Sequence, residues 1–571
     1  MINEAVKHDN LQQKCLVLQT QNTELQTDNH VLQTRVSDLE TENSDLKTLL
    51  ETKSERVSEL EFLQKWYEER LRLNARQKYG ASSEQTSNYE QLGFFDETEV
   101  TADKKAPEPD LEQITYRRKK RVGKREEDFS ALPVETVIHE LPKEEQVCPE
   151  CGEALHVMGK ETRRELKVIP AKVVVEEHVR NVYSCRNCEK SGADVPVLKA
   201  PMPESVIKNS PASPSAVAHI MSQKYVMHNP LYRQEQEFGR MGIPLSRQTM
   251  ANWVVAASNN WLSHIYELLR RELLKNEVLH ADETTLQVLK EPGRKARTES
   301  YMWLYRTSEV DNHRPIALYE YQETRSSSHP KKFLDAWRGY LQTDGYAGYH
   351  TLEGVTNVGC WAHMRRKFDE ALKGLTPEGQ KGSKALIGLE FCNRLFAEER
   401  AFEKQFSDEP PPATVLTPSE RFKRRYEWRT ERSLPVAEEF FAWAKGLKVL
   451  PKSPLGVAVK YALDQQKYLM NVFADGRVEL SNNRAERSIK PFVLGRKNWL
   501  FACTPKGAKA SSVVYSVIET AKENGLIPFE YLKFLFETIP NSTMSQLAAF
   551  LPWSDSIPPY CRMPKTPTNA K

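Results

Sequence analysis

Val278-Leu-His-Ala-Asp282 begins a region in which short β-rich runs replace helical periodicity. Further β-rich runs lie at 301–305, 315–319, 340–344 and 355–361, and helical stretches lie at 331–337 and 363–372. Strands that alternate with helices are typical of a sheet covered by helical layers. The sequence therefore predicts an α/β domain over residues 276–500.

The order of these elements, three strands followed by a helix, a strand, a helix and a strand, is that of a ribonuclease H-like core. In that order Asp282 and Asp344 end the first and fourth strands, which lie side by side. Two such carboxylates repel each other unless a cation lies between them, so the pair predicts a metal site. The alternative is that each Asp serves only as a cap or turn residue.

The third acid of such a site is expected on a helix that passes the two aspartates. Glu486 is the candidate, because it follows a Ser/Asn start in a helical run that ends at Pro491. The chain between Asp344 and Glu486 is too long for a plain core, so we predict a helical insertion near 375–460. Residues 501–571 remain as a C-terminal domain and tail.

The N-terminal segment, residues 1–78, carries a leucine at every seventh position. These are Leu11, Leu18, Leu25, Leu32, Leu39 and Leu46, and the other seam positions hold Cys15, Asn22, Asn29, Val36, Asn43 and Leu50. The narrow stripe predicts a leucine-zipper coiled coil, and Asn pairs in its seam favour a parallel dimer. The alternative is one amphipathic helix packed on its own core, which normally has a wider apolar stripe.

Residues 79–130 are rich in Ser, Gln, Glu, Pro and Lys and show little periodicity, which predicts a linker. The linker contains the basic run Tyr116-Arg-Arg-Lys-Lys-Arg-Val-Gly-Lys-Arg125. Such a run is either a solvated tail or a phosphate-binding segment.

Residues 131–200 contain two C-x-x-C pairs, Cys148-Pro-Glu-Cys151 and Cys185-Arg-Asn-Cys188, separated by β-rich runs at 172–176 and 179–183. Four thiolates in this arrangement predict one tetrahedral zinc in a zinc ribbon. The zinc is expected to be structural, because the protein fills all four ligand places. Redox chemistry at either pair is the weaker alternative, since two matched pairs fit a shared metal better.

Residues 201–275 are predicted to form consecutive helices in a helix-turn-helix-like region. One helix begins near Ser213, and another begins after a Ser246 cap and presents Arg247 and Gln248 in its first turn. Those two side chains are candidate DNA contacts, as in a recognition helix. A helical hairpin that binds nothing would have the same pattern.

Composition limits the class of protein. Lys and Arg total 81 against 78 Asp and Glu, so the net charge of +3 predicts no overall field for a polyanion. The chain shows no signal-peptide-like start and no apolar run of membrane-spanning length. We therefore expect a multidomain α+β protein that is soluble and cytoplasmic, with no membrane partner.

Four strings carry a resemblance to a known family: Leu279-His-Ala-Asp-Glu-Thr284, Leu341-Gln-Thr-Asp-Gly-Tyr-Ala-Gly-Tyr349, Gly359-Cys-Trp-Ala-His-Met-Arg-Arg-Lys-Phe368 and Asn482-Asn-Arg-Ala-Glu-Arg-Ser-Ile-Lys-Pro491. They resemble the DDE transposase of insertion-sequence family sixty-six, the TnpC type. The resemblance runs from about residue 60 to 550. The chain departs from the family at Ser481, where the family usually has Asp before the Asn pair.

The resemblance implies an enzyme that cuts insertion-sequence ends and joins the freed 3′-hydroxyl to target DNA. It implies that Asp282, Asp344 and Glu486 hold two Mg²⁺ or Mn²⁺ ions. Candidate phosphate contacts are His363, Arg366, Arg487 and Lys490, although a His or Arg on an amphipathic helix often serves packing alone. Arg496 and Lys497, with Trp499, have the basic-plus-aromatic character of a DNA-facing strand or turn, and a buried Trp is the alternative. The expected partners are element ends, target DNA, a second copy of the chain and accessory proteins of the same element.

Two other functions share parts of this pattern. A DNA-binding regulator with a zipper and a zinc ribbon would have lost one of the three acids, and all three are present. A nuclease that cuts without joining would share the carboxylates, so only a strand-transfer product separates it from a transposase.

Overall fold

The structure is a computed structural model, and it describes residues 2–79, 172–183, 198–309, 314–406 and 416–564. The chain divides into two units, Met1–Ala81 with His178–Lys571, and Ser82–Glu177. Within the second unit, residues 172–177 are described; they are exposed and form no helix or strand. The predicted basic run at 116–125 and the four predicted zinc ligands, Cys148, Cys151, Cys185 and Cys188, lie outside the described residues.

The N-terminal segment forms one helix, α1 (Ile2–Tyr79). Its seam leucines are exposed in the single chain, by 51% at Leu39 up to 66% at Leu11 and Leu25. A helix that packed this stripe on its own core would bury it, so the exposure argues against the single-chain alternative.

A short antiparallel pair, β1 (Val182–Tyr183) and β2 (Leu198–Lys199), follows. Of the two β-rich runs predicted before it, the one at 172–176 is wrong, because those residues form no strand. The run at 179–183 forms a strand only over its last two residues. A run of β-branched residues favours a strand only where a neighbouring strand pairs with it.

Four helices make up the next region of the described chain: α2 (Pro214–Tyr225), α3 (Leu231–Arg240), α4 (Arg247–Ala257) and α5 (Ser263–Leu273). The predicted starts of α2 and α4 are confirmed. The side chains of Ser213 and Ser246 each accept a hydrogen bond from the backbone N–H three residues later. This is the capping that the sequence predicts. Met250 and Trp253 on α4 pack into the main hydrophobic core.

The sheet consists of β3 (Val278–Gln287), β4 (Glu299–Thr307), β5 (Ala317–Gln322), β6 (Gly339–Gln342) and β7 (Val355–Val358), with helix α6 (Ser328–Phe333) before β6. Their spatial order is β5-β4-β3-β6-β7. Strands β3, β4 and β5 pair antiparallel, whereas β6 and β7 run parallel to β3. The predicted alternation of strands and helices is therefore confirmed in this region.

Several predicted boundaries are wrong. The strand predicted to end at Asp344 ends at Gln342, and the strand predicted from 315 begins at Ala317. Asp282 lies within β3 rather than at its end, because β4 pairs with β3 as far as Gln287. Helix α6 ends at Phe333 rather than at 337, and Ala336 adopts a left-handed backbone with φ 59°. The β-rich run predicted to reach 361 ends at Val358, because Trp361 already begins the next helix.

The described chain after β7 is helical. It forms α7 (Trp361–Lys373), α8 (Pro377–Gln380), α9 (Lys384–Phe406), α10 (Pro418–Trp428), α11 (Leu434–Gly446), α12 (Pro454–Met470), α13 (Asn483–Trp499), α14 (Pro505–Glu523) and α15 (Pro528–Thr538). Helices α7, α9, α11 and α12 bury a second hydrophobic core around Trp361, Phe368 and Phe440. The helical character predicted for 375–460 is therefore confirmed in the residues of that range that the structure describes.

Helix α14 covers the edge strand β5. The Ser516 and Thr520 hydroxyls accept hydrogen bonds from the backbone of Tyr319 and Ala317, at 2.8 and 3.1 Å. These bonds satisfy groups that an edge strand would otherwise leave unpaired. None of the described helices combines the length and the apolar character needed to span a membrane.

Candidate active site

Asp282 lies on β3 just beyond the point where β6 stops pairing with that strand at His280. Its Oδ1 accepts a hydrogen bond of 2.8 Å from the backbone N–H of Glu283. Burial raises the pKa of Asp282 well above its ordinary value. The carboxylates of Glu283, Asp344 and Glu486 raise that pKa further, so the other two predicted acids act electrostatically on Asp282.

Asp344 lies two residues beyond β6, in a turn that two contacts hold in place. Its Oδ1 accepts a hydrogen bond of 3.0 Å from the Tyr346 backbone N–H, and its carbonyl accepts one of 2.9 Å from the Tyr461 hydroxyl on α12. Gly345 adopts φ +94°, and a side chain there would crowd Tyr461 and Gln465. The helical insertion therefore positions the second acid.

Glu486 lies in the first turn of α13 and faces an arginine and a histidine on α7. Arg366 donates a hydrogen bond of 3.4 Å to its Oε2, and His363 Nε2 lies 3.6 Å from its Oε1. That Oε1 is buried and accepts no hydrogen bond from the described residues. Burial, followed by the nearby Arg366, lowers the pKa of His363, and Glu486 opposes this effect.

These carboxylates fit a divalent cation chemically, because oxygen ligands suit Mg²⁺ and a cation would relieve the repulsion that raises the pKa of Asp282. The unsatisfied Oε1 of Glu486 offers a further ligand atom. The described residues include no group of three His, Cys, Asp or Glu side chains already gathered closely enough to hold a metal ion. The acids thus share one electrostatic environment without forming a completed coordination shell.

Glu283 fastens the Asp344 turn to β3, a role that the sequence did not predict. Its carboxylate accepts hydrogen bonds from the Tyr349 hydroxyl at 2.5 Å and from Arg325 Nε at 2.8 Å. The Arg325 guanidinium lies 3.9 Å from the centre of the Tyr346 ring, and the Tyr346 hydroxyl donates to the Arg325 carbonyl. Tyr346 and Tyr349, three residues apart after Asp344, are the sequence feature from which this role could have been predicted.

A buried polar link joins β3 to the start of α13. Asn482 donates a hydrogen bond of 2.9 Å to the Ala281 carbonyl, which leaves its Oδ1 facing His280 Nδ1 at 2.9 Å. On the other side of the ring, His280 Nε2 lies 3.5 Å from Glu479. Burial acts to raise the pKa of Glu479, but His280 and Arg484 outweigh it and lower that pKa. The strand that carries Asp282 is thereby tied to the helix that carries Glu486.

The predicted DNA contacts fall in different places. Arg487 and Lys490 are exposed on α13, and Lys497 is exposed near its end. Arg496 instead donates hydrogen bonds to the hydroxyls of Thr284 and Thr285, at 3.2 and 3.1 Å, and so holds α13 against β3. His363 and Arg366 contact Glu486, as described above.

Arg247 and Gln248 are exposed in the first turn of α4. The Arg247 guanidinium lies 5.5 Å from the Tyr232 ring centre and 3.8 Å from Glu235. Gln248 donates a hydrogen bond of 3.2 Å to Asn252 one turn later. Both side chains therefore lie on an accessible face, and the charge of Arg247 is partly matched by Glu235.

Four family models match the chain in order. They are "Transposase C of IS166 homeodomain" over 66–137, "zinc-finger binding domain of transposase IS66" over 145–189, "Transposase IS66 family" over 209–510 and "IS66 C-terminal element" over 516–553. The third spans more than half of the chain and includes Asp282, Asp344 and Glu486. The second includes all four cysteines of the C-x-x-C pairs.

Three uncharacterized proteins of Sinorhizobium fredii are similar to the chain. The protein y4jD is 31% identical over 433 residues, which cover 72% of this chain and 79% of y4jD. The proteins y4qI and y4hP are each 29% identical, covering 85% and 73% of this chain and 88% and 74% of their own lengths. From these matches, and from a domain order that includes zinc-finger and DNA-binding domains, the chain belongs to the IS66 family of transposases.

Proposed function

We propose that this transposase cuts DNA at the ends of its insertion sequence and joins the freed 3′-hydroxyl to target DNA at one metal-dependent site. Asp282, Asp344 and Glu486 are the metal-holding residues. The observation that carries the proposal is their convergence: burial first, and then the carboxylates of Glu283, Asp344 and Glu486, raise the pKa of Asp282. Carboxylates that oppose one another's ionisation are stable together once a cation lies among them.

The sheet supports a ribonuclease H-like assignment for the catalytic core. Its antiparallel strands β3, β4 and β5 precede the parallel strands β6 and β7, which extend the sheet beyond β3. Asp282 lies on the central strand β3, and Asp344 lies just after its parallel neighbour β6. Both aspartates therefore come two residues after the point where these strands stop pairing. Helix α13 supplies the third acid from outside the sheet.

When bound, two ions of the Mg²⁺ or Mn²⁺ type activate the attacking oxygen and stabilise the leaving oxygen of the phosphodiester. The protein fixes Asp282 on a strand and Asp344 on a clamped turn, so two ligands are held before DNA arrives. Glu486 completes the set by giving up part of its contact with His363 and Arg366. The Arg366 guanidinium and the His363 imidazole then face phosphate, together with the exposed Arg487 and Lys490.

The same site serves both chemical steps. Water first breaks the bond at the element end and leaves a 3′-hydroxyl there. That hydroxyl then attacks a target phosphodiester, and one phosphodiester bond replaces another. The joining step therefore needs no high-energy cofactor.

The zinc-finger domain is proposed to hold one structural zinc through Cys148, Cys151, Cys185 and Cys188. Four thiolates complete a tetrahedral shell and leave no place for a reactive water. DNA contact is proposed for this domain, for the basic run at 116–125, for Arg247 and Gln248 on α4, and for Arg496 and Lys497 at the end of α13.

Assembly is proposed to depend on α1 as a coiled-coil helix that brings two copies of the chain together. Two DNA ends must be handled in one transposition event, which suits at least a dimer. Accessory proteins of the same element are further proposed partners.

The test uses DNA that bears the element's own ends, with Mg²⁺ or Mn²⁺ and any accessory proteins supplied. The wild type is expected to cut and join, whereas Asp344→Asn should do neither. Asp464→Asn is a matched control, because Asp464 is an exposed partner of Lys460 on α12. Cutting without joining by the wild type would instead indicate a nuclease, and tight binding without any product would indicate a regulator.

A further inference from the structure

The exposed stripe of α1 offers a self-complementary surface. The seam leucines are between 51% and 66% exposed, and Val36 and Leu50 at the alternate seam positions are 54% and 67% exposed. The helix is continuous through this whole segment. An apolar stripe of this length on a straight helix is normally covered by another helix.

We propose that the occupant is a second copy of α1, parallel and in register, so that Cys15 of each chain faces Cys15 of the other. The inference rests on the proposed coiled coil and is independent of the proposed DNA chemistry. It adds the residue-by-residue register of the two helices and the pairing of Cys15 with its own copy.

The seam asparagines select this register. In register, each of Asn22, Asn29 and Asn43 lies opposite its own copy, and Asn–Asn pairs satisfy one another's amides. A shift by one heptad would leave only one such pair and place Asn43 opposite Leu50. A buried amide opposite an apolar side chain loses its hydrogen bonds, so the shifted arrangements are disfavoured.

The flanking charges select the same arrangement. In a parallel coiled coil, a side chain just before the seam lies near the one five residues later on the partner. Arg35 then meets Glu40, and Glu42 meets Lys47, so both charged pairs are attractive in register. Each pair occurs twice in the dimer because the two chains are identical.

Cys15 makes the register measurable with a native side chain. It is exposed in the single chain and occupies a seam position. In register, two Cys15 residues lie within the distance that a disulfide spans, whereas an antiparallel pairing of residues 11–50 would separate them by about 45 Å. A parallel shift of one heptad would separate them by about 10 Å along the axis.

The experiment oxidises the full-length protein mildly, without DNA, after its mass in solution has been measured by light scattering. We expect a dimer and a reducible cross-link that Cys15→Ser removes. In the Cys15→Ser background, Asn22→Cys should restore the cross-link. Thr20→Cys is the matched control on the opposite face of the helix and should not.

Each outcome separates the register from the coiled coil itself. A monomer at every concentration would overturn both proposals. A dimer whose Cys15 residues do not cross-link, or in which Thr20→Cys links as well as Asn22→Cys, would overturn the register and leave the coiled coil standing.

Charge reversal gives a second readout. A chain with Arg35→Glu and Lys47→Glu should pair poorly with itself, and so should a chain with Glu40→Lys and Glu42→Lys. Mixed together, the two variants should form the hetero-pair and cross-link through Cys15. Equal self-pairing and hetero-pairing would contradict the proposed contacts.

Discussion

At the scale of single residues, Glu283 is a buried carboxylate whose partners all belong to the region around the Asp344 turn. It receives hydrogen bonds from Tyr349 and Arg325, and the latter covers the Tyr346 ring. Because these bonds are charge-assisted, the Asp344 turn depends on the negative charge of Glu283. Glu283 therefore acts on the site by holding the Asp344 turn and by adding negative charge beside Asp282, without contact with DNA.

We expect Glu283→Gln to raise the Mn²⁺ concentration needed for half-maximal cleavage by about tenfold, which corresponds to the loss of about one charge-assisted hydrogen bond. Tyr349→Phe should have a smaller effect in the same direction. The measurement is a metal titration of cleavage at fixed DNA. Glu291→Gln is the matched control, since Glu291 is also buried with an arginine and a tyrosine partner, Arg294 and Tyr321. An unchanged Mn²⁺ concentration for half-maximal cleavage in Glu283→Gln would contradict this role of Glu283.

Glu320 on β5 predicts how stability depends on pH. Burial raises its pKa to about 7, above the ordinary 4.5 expected in the unfolded chain. Below pH 4.5 the Glu320 carboxyl is protonated in both the folded and the unfolded state. Between pH 4.5 and 7 mainly the folded state holds the proton, so the free energy of unfolding is expected to fall as pH rises through this range. Glu320→Gln imitates the protonated form, and we expect it to stabilise the protein by about 1–3 kcal/mol at pH 8 and by little at pH 4.

Thermal unfolding at the two pH values measures this difference. Glu353→Gln is the control, because the side chain of Glu353 is 87% exposed and should titrate alike in both states. An equal change in melting temperature at pH 4 and pH 8 for Glu320→Gln would contradict the assignment.

At the scale of elements, β3 and α13 are joined by Asn482, which bonds to the Ala281 carbonyl and to His280. Asn482→Ala would leave buried polar groups unsatisfied, and we expect it to cost about 1–3 kcal/mol of stability. It should also slow cleavage, because Glu486 would lose its fixed place beside Asp282.

Asn524→Ala separates these two effects. Asn524 makes comparable bonds to the carbonyls of Pro315 and Thr520, away from the acids. It should lower stability to a similar extent and leave cleavage at temperatures well below melting unchanged. If both variants slowed cleavage equally, the link at Asn482 would be merely structural.

The elements also show what the sequence could and could not predict. Strand and helix alternation, the Ser213 and Ser246 caps and the placement of Glu486 in a first helical turn follow from local periodicity and capping chemistry. The position of Asp282 within β3 does not, because the strand's length depends on its pairing with β4. Likewise, the partners of Glu283 and Arg496 are set by tertiary packing, which leaves no local pattern.

At the scale of the whole molecule, the zinc-finger domain is proposed to bind DNA, and the three acids are proposed to carry the chemistry. We expect Cys185→Ser to abolish zinc binding, as measured by metal analysis of the purified protein. It should weaken binding to element ends by at least about tenfold, or about 1.4 kcal/mol. Cys503→Ser is the control, since Cys503 is an exposed thiol outside the zinc-finger match. Normal DNA affinity in a zinc-free variant would contradict this division.

The central claim is that the three carboxylates hold the catalytic metal ions, and ligand exchange at Asp344 tests it most directly. A thiolate binds Mg²⁺ poorly but accepts softer ions such as Mn²⁺ better. We expect Asp344→Cys to be inactive in cleavage and joining with Mg²⁺ and to recover part of its activity with Mn²⁺, while Asp344→Ala stays inactive with both. Cleavage by either variant at the wild-type rate in Mg²⁺ would show that Asp344 holds no catalytic metal.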